Sequence, residues 1–372
     1  MNHHPIERID PVACSSLKPI QACLAVFASL LAAPAGAGIT YERVTVGNAG
    51  NAGDTMVGAN TFGFGAVAYD YQIGKYDVTI GQYTAFLNAV AATDTYSLYN
   101  SSMGTDLNIA GIARSGTSGA YTYSVINNGG NSANRPITYV SWWDSARFSN
   151  WMANGQPTGA QSSTTTENGA YNVNGATSGN APAKNVTNPN TSAAPTFYIP
   201  TENEWYKAAY YSPTLNSGSG GYYTFATQSN TAPGNSVVRG TNDANYAPGG
   251  NYSVTHLSYS ASQNYLFDVG VFFRSGSFYG TFDQSGSVSQ WNDLNGTSGS
   301  FRGLRGGGWS STSYTFLWSS SSNNHVGPSD ENHAFGFRLA SPFAVPEPST
   351  WVMGAVGLAC VGWGAWRRRY GR

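Results

Sequence analysis

The stretch "IPTENEWYKAAYY", residues 199 to 211, decides how this chain is read. Thr201 followed three residues later by Glu204 opens a helix: the hydroxyl caps the N-terminal amides and the carboxylate bonds back. Trp205, Ala208 and Ala209 then share one face. The same device occurs twice upstream. Thr79 and Gln82 open "TIGQYTAFLNAVA", with Tyr83, Phe86, Leu87 and Val90 on one face. Ser141 and Asp144 open "SWWDSARFSNWMA", with Trp143, Ala146, Phe148 and Trp151. Glu202 and Glu204 lie in a first turn, where carboxylates complete caps and complement the helix dipole, so they are not read as an acid–base pair.

Around these helices, residues 39 to 80 alternate as strands, with Val67, Tyr69, Tyr71 and Ile73 on one face. Gly/Ser/Asn/Thr tracts near 101–134, 154–195 and 212–265 read as long loops, which need their own packing or a function. The last part, "GSFYGTFDQSGSVSQWND", "FRGLRGGGWSS" and "HAFGFRLASPF", reads as strands with Gly at the corners. The expectation is one α+β domain over residues 38–343, low in regular structure and without an internal repeat.

Composition agrees with an exported, loop-rich protein: of 372 residues, 10% are charged and 14% aromatic, and 45 are Gly. The aromatic content argues against disorder. Residues 38–346 hold twelve basic and sixteen acidic groups, a balance that excludes the basic face nucleic-acid binding needs.

Both ends read as addresses. In residues 1–37, Arg8 and Lys18 precede an apolar core that closes on Ala35-Gly36-Ala37, the pattern of a secretory signal peptide. At the other end, Ser349 to Trp366 is an 18-residue run without charge, long enough as a transmembrane helix of about 27 Å. Arg367, Arg368 and Arg369 follow and are expected on the cytoplasmic side. Pro346-Glu347-Pro348, the apolar span and the arginine cluster, in that order over residues 344–372, resemble the PEP-CTERM sorting signal of Gram-negative bacteria. The resemblance implies an exosortase and the export machinery as partners. It further implies membrane anchoring before processing, then delivery to the cell surface or extracellular matrix. The cysteines, Cys14, Cys23 and Cys360, all fall in these ends, so residues 38–343 hold no disulfide and no thiol.

Catalytic motifs are missing: no Gly-x-Ser-x-Gly elbow, phosphate loop, dinucleotide fingerprint or His-Glu-x-x-His occurs. His325, Asp330, Glu331 and His333 share one loop, "NNHVGPSDENHAFG", the one metal-ligand cluster that can be read from the sequence; surface-loop histidines are the plainer reading.

In order along the chain, the segments resemble the formylglycine-generating enzyme (sulfatase-modifying factor) family. "YQIGKYDVTIGQYTAFLNAV", "RPITYVSWWDSARFSNWM" and "IPTENEWYKAAYY" match its helices, and "YGTFDQSGSVSQWND", "LRGGGW" and "GFRLA" its closing order. The resemblance implies an elaborated C-type-lectin-like fold. It also implies two copper-binding cysteines after the Gly-rich turn, positions that fall here on about Ser311 and Phe316. A hydroxyl and a phenyl ring cannot ligate copper or exchange disulfides, so copper is not expected. Two family arginines fall on Trp318 and Ser322, while Arg338 is kept. At one family calcium turn the chain reads Gly286-Ser287-Val288-Ser289-Gln290-Trp291, which lacks the carboxylate. A second calcium site would begin at Asn245 and Tyr246 through backbone carbonyls. The helical domain carrying three-histidine iron in another branch has no counterpart.

The leading expectation is a non-catalytic domain that binds exopolysaccharide, another glycan or a surface protein. Its candidate binding residues are Trp309, Ser311, Tyr314, Phe316, Trp318 and Arg338, because weakly charged aromatic surfaces suit sugar stacking. The alternative is a divergent enzyme with a thiol-free, metal-dependent reaction at the His325/His333 loop.

Overall fold

A computed structural model describes residues 38–55, 63–237 and 240–343. The segment read as a signal peptide, 1–37, and the tail 344–372, with Pro346, Glu347, Pro348, Arg367, Arg368 and Arg369, lie outside the described residues. Among those described, no helix is long and apolar enough to cross a membrane.

The three capping boxes form as local chemistry dictates. Helix α1, Ile80–Val90, starts where Gln82 N donates to Thr79 Oγ1 and Thr79 N donates to Gln82 Oε1 at 2.9 Å. After the single turn α2, Ser102–Thr105, helix α3 spans Trp142–Ala153 behind Ser141 and Asp144. Helix α4, Glu202–Tyr210, follows Thr201 and Glu204.

Short strands surround the helices. Strand β1 (Arg43–Val46) pairs with β2 (Tyr71–Gly74), and β2 with β11 (Ala340–Pro342), all antiparallel, which joins the two ends of the described chain. Hairpins β3/β4 (Ile112–Ser115, Thr122–Val125) and β5/β6 (Tyr211–Ser212, Gly221–Tyr222) stand apart. The second sheet runs β10 (Phe335–Gly336), β7 (Ser289–Asn292), β8 (Arg302–Arg305), β9 (Asn323–Val326). Its β10–β7 pair is parallel and the other pairs are antiparallel. The described residues from Ile39 onward belong to one compact unit, and few helices with small mixed sheets make an α+β fold.

Three local readings change. The tract 101–134 is not wholly loop, since it contains α2 and the β3/β4 hairpin. Tyr69 leaves the buried face of Val67, Tyr71 and Ile73: it is 50% exposed and donates to Glu204 Oε1, because regular pairing starts only at Tyr71. Helix α3 is not amphipathic in its surroundings, for all twelve of its residues are buried. The 154–195 tract covers its polar side. Asn150 Nδ2 donates to the carbonyls of Thr166 and Tyr171, and Arg147 makes two 2.9 Å bonds to Glu167. Asn154, Asn185, Asn188 and Asn190 bond the tract to itself and to the end of α3, so asparagine amides do here the work that ladders do in a sheet.

Burial leaves several carboxyls above the usual range, Asp144 and Asp293 among them. Asp144 is pushed up to about 8, by desolvation and then by the charge of Glu331; Asp293 is pushed up to about 7, by desolvation against the pull of Arg302. A carboxyl raised above its unfolded value of about 4 adds stability that is full below that value and is lost as pH climbs through the folded one. The thermal midpoint should therefore fall between about pH 4 and pH 8, and Asp144→Asn should flatten the upper part of that decline. An unchanged profile in the variant would show that Asp144 does not titrate in this window.

Candidate functional site

The site is built on the turn after β8. Gly306 and Gly307 have φ of 97° and 68°, and a Cβ on Gly307 would stand 2.9 Å from Leu317 Cδ1. Only glycine lets the following 3₁₀ turn, Tyr314–Leu317, approach so closely. Ser311 closes the corner: its Oγ accepts from Gly308 N at 3.0 Å, its N donates to Gly308 O, and its carbonyl accepts from Ala247 N. Ser313 Oγ caps the 3₁₀ turn and Leu317 anchors it in the interior.

What the turn displays is aromatic. Tyr314 is 44% and Phe316 53% exposed, and the half-buried Trp318 ring lies 5.8 Å from that of Tyr314. Arg305 holds the far end from below, its Nη1 donating to the carbonyls of Ser319 and Ser321. Two residues expected on this surface are instead internal. Trp309 is 3% exposed, stacked on Tyr265 at 5.1 Å, with Nε1 donating to His333 O. Arg338 is fully buried and bonds Asp77, Gln290 and the carbonyls of Gly74 and Phe282. A guanidinium with its donors so committed has none to offer a ligand.

The histidine loop does not converge. His325 packs edge-on against Phe301, Asp330 accepts from Gly327 N, Glu331 accepts from Asn100, and His333 Nε2 lies 3.2 Å from Ser310 Oγ. Burial lowers the His333 pKa, which favours the neutral ring. Among the described residues, no three His, Cys, Asp or Glu side chains come together as a metal site. At Asn245 and Tyr246 the backbone carbonyls that the resemblance offers to calcium each carry one hydrogen bond. They accept from Ser287 N at 2.8 Å and Ser253 Oγ at 2.7 Å respectively.

Several residues that matter carry no motif. Gln290, read as a lost carboxylate, accepts from both Trp205 Nε1 and Arg338 Nε at 2.7 Å and ties α4 to the second sheet. Ser310 and Arg305 likewise meet their partners only through the fold.

The model of the sulfatase-modifying factor enzyme 1-like domain matches residues 53–342, so the chain belongs to that family. The PEP-CTERM protein-sorting motif matches residues 344–369 and marks an exported protein that an exosortase recognises. A comparison with curated proteins finds no match. Among solved structures, CarF is similar at 20% identity, covering 82% of this chain and 99% of its own, with a TM-score of 0.42. Variable protein 1 of Treponema denticola (18%, 82% and 95%, 0.41) and PvdO from Pseudomonas aeruginosa (16%, 82% and 92%, 0.40) are similar too.

Proposed function

We propose that this chain is a surface-delivered binding protein whose sulfatase-modifying-factor-like domain does no cysteine chemistry. The observation that carries the reading is the 3₁₀ turn that leaves Tyr314 and Phe316 exposed, on the segment where the resemblance puts the family's cysteines. Exposed rings on a fixed backbone stack on sugar faces at little entropic cost. The ligand class is a glycan, exopolysaccharide above all, or a matrix protein at the cell surface, reached after the tail has served as a temporary membrane anchor. The absence of thiols in residues 38–343 supports a non-catalytic role, since copper held by cysteine has no ligands there.

A glycan array tests it. Tyr314→Ala combined with Phe316→Ala is expected to weaken the strongest signal roughly tenfold, with the melting midpoint kept. Equal binding by the variant would remove the turn from the proposal. Formylglycine made from a sulfatase-type cysteine peptide in the presence of copper would overturn the non-catalytic reading.

A further inference from the structure

An exported chain can receive glycans on asparagine where Asn-x-Ser/Thr stands on its surface. This chain has that tripeptide at Asn100, Asn185, Asn190, Asn251 and Asn295. Attachment needs an amide nitrogen free to react and a hydroxyl beside it, and the fold withdraws all but the last. Asn100 Nδ2 donates to Glu331, and Asn185 Nδ2 to Asn168 Oδ1 and Gly169 O. Asn190 Nδ2 donates to Asn154 Oδ1 and to the carbonyls of Ser163 and Asn168. Asn251 is exposed, yet its partner Ser253 is buried and spends its hydroxyl on Tyr246 O at 2.7 Å.

Asn295-Gly296-Thr297 differs. It lies in the connection from β7 to β8, whose stem is fixed by the buried pair Asp293 and Arg302 at 2.8 Å. Gly296 N closes the turn onto Asp293 O at 2.7 Å. Asn295 and Thr297 are both exposed. Thr297 donates twice to Asn295 Oδ1, from N at 3.1 Å and from Oγ1 at 2.7 Å. Asn295 Nδ2 has no partner among the described residues. Two donors on the amide oxygen draw electron density from the nitrogen, which makes its N–H easier to deprotonate. A second observation points the same way. Beside the turn lies a hollow of about 340 Å³, lined among others by Asn295, Thr297, Phe301 and His325. Phe301 is 46% exposed, and the exposed His325 ring packs edge-on against it at 5.3 Å. The volume lies within the range of about 300–1,000 Å³ of small-ligand sites, and an aromatic ring in its wall suits the apolar face of a sugar.

We propose that Asn295 carries an N-linked glycan whose first sugar rests against Phe301. In the transfer, Nδ2 bonds to the anomeric carbon of a lipid-linked glycosyl diphosphate. The bond from that carbon to the diphosphate oxygen breaks, and the lipid diphosphate leaves with the electron pair. The amide proton passes to a base of the transferase. The site uses the export address and is independent of the Tyr314–Leu317 turn.

Mass spectrometry of peptides from the protein recovered at the surface of the producing bacterium tests the proposal. A sugar on Asn295 that survives denaturation is expected, with Asn100, Asn185, Asn190 and Asn251 bare. A glycan held only by the aromatic turn is lost on denaturation, so the two sites are read apart. Thr297→Ala should abolish occupancy of Asn295 and Thr297→Ser should keep it, with both variants folded. Phe301→Ala should leave occupancy intact. It should also erase the rise in melting midpoint that the glycosylated protein shows over its Asn295→Gln variant. A bare Asn295 in the surface protein, sugar on the other four asparagines instead, or occupancy indifferent to Thr297→Ala would each overturn the proposal. A midpoint difference that persists in Phe301→Ala would overturn the seat on that ring.

Discussion

Replacing Arg338 by alanine should lower the free energy of unfolding by about 3–5 kcal/mol, the cost of stripping one partner from a buried ion pair. The guanidinium sits 3.2 Å from Asp77 Oδ1 with both side chains wholly buried, and it also donates to Gln290 Oε1 and to the carbonyls of Gly74 and Phe282. Its loss orphans these acceptors at once. Asp77 is held well above the ordinary carboxyl range by burial, and Arg338 is the main influence pulling it down. Without the arginine its pKa rises further. The penalty should then grow only as pH climbs through the raised pKa that Asp77 has with Arg338 present, because the unfolded carboxyl is common to both proteins and cancels. Urea denaturation of both proteins across the alkaline range as well as at neutral pH reads both effects. Asp77→Leu combined with Arg338→Leu should cost less than Arg338→Ala alone, since no charge is left unpaired. A single-variant cost under about 1 kcal/mol would mean that the pair is solvated and the buried hub is misassigned.

Arg305→Ala should cost a similar amount, about 3–5 kcal/mol, and should also loosen the aromatic turn. Arg305 Nε donates to Glu202 Oε1 at 2.6 Å, and its guanidinium lies about 5 Å from the Phe64 and Tyr206 ring centres. Through Nη1 it holds Ser319 and Ser321, so one side chain ties the start of α4 to the segment that follows Tyr314–Leu317. Hydrogen exchange should show faster opening of residues 314–321 than of α1. Arg305→Lys should recover less than half of the stability, because a single ammonium cannot span the carboxylate and two carbonyls. Uniform acceleration along the chain would show a general loss of stability and no special tether.

The two arginines mark where sequence reading stopped. Three helix starts were legible because a capping box is written within four residues and its bonds need nothing from the rest of the chain. The Gly triplet was legible as a corner, and the exposed Tyr314 and Phe316 lie on the segment named from it. Trp309 and Arg338 were assigned to that surface as well, yet both are core. An aromatic ring or a guanidinium looks the same in sequence whether it faces solvent or Tyr265 and Asp77. Likewise α3 carries Asp144, Arg147 and Asn150 as an amphipathic helix would, and only the asparagine-tied 154–195 tract turns that polar face inward.

By itself the sequence determined where the helices begin, that residues 38–343 have no thiol to oxidise, and that the chain carries an export address. Those properties are local, set by neighbours within a few residues or by composition. Only the tertiary structure decided which charges are buried, which donors are left without partners and which aromatic residues reach solvent. These depend on segments that meet from well beyond one helix or turn, and desolvation acts on the assembled surroundings of a group, which no short stretch contains.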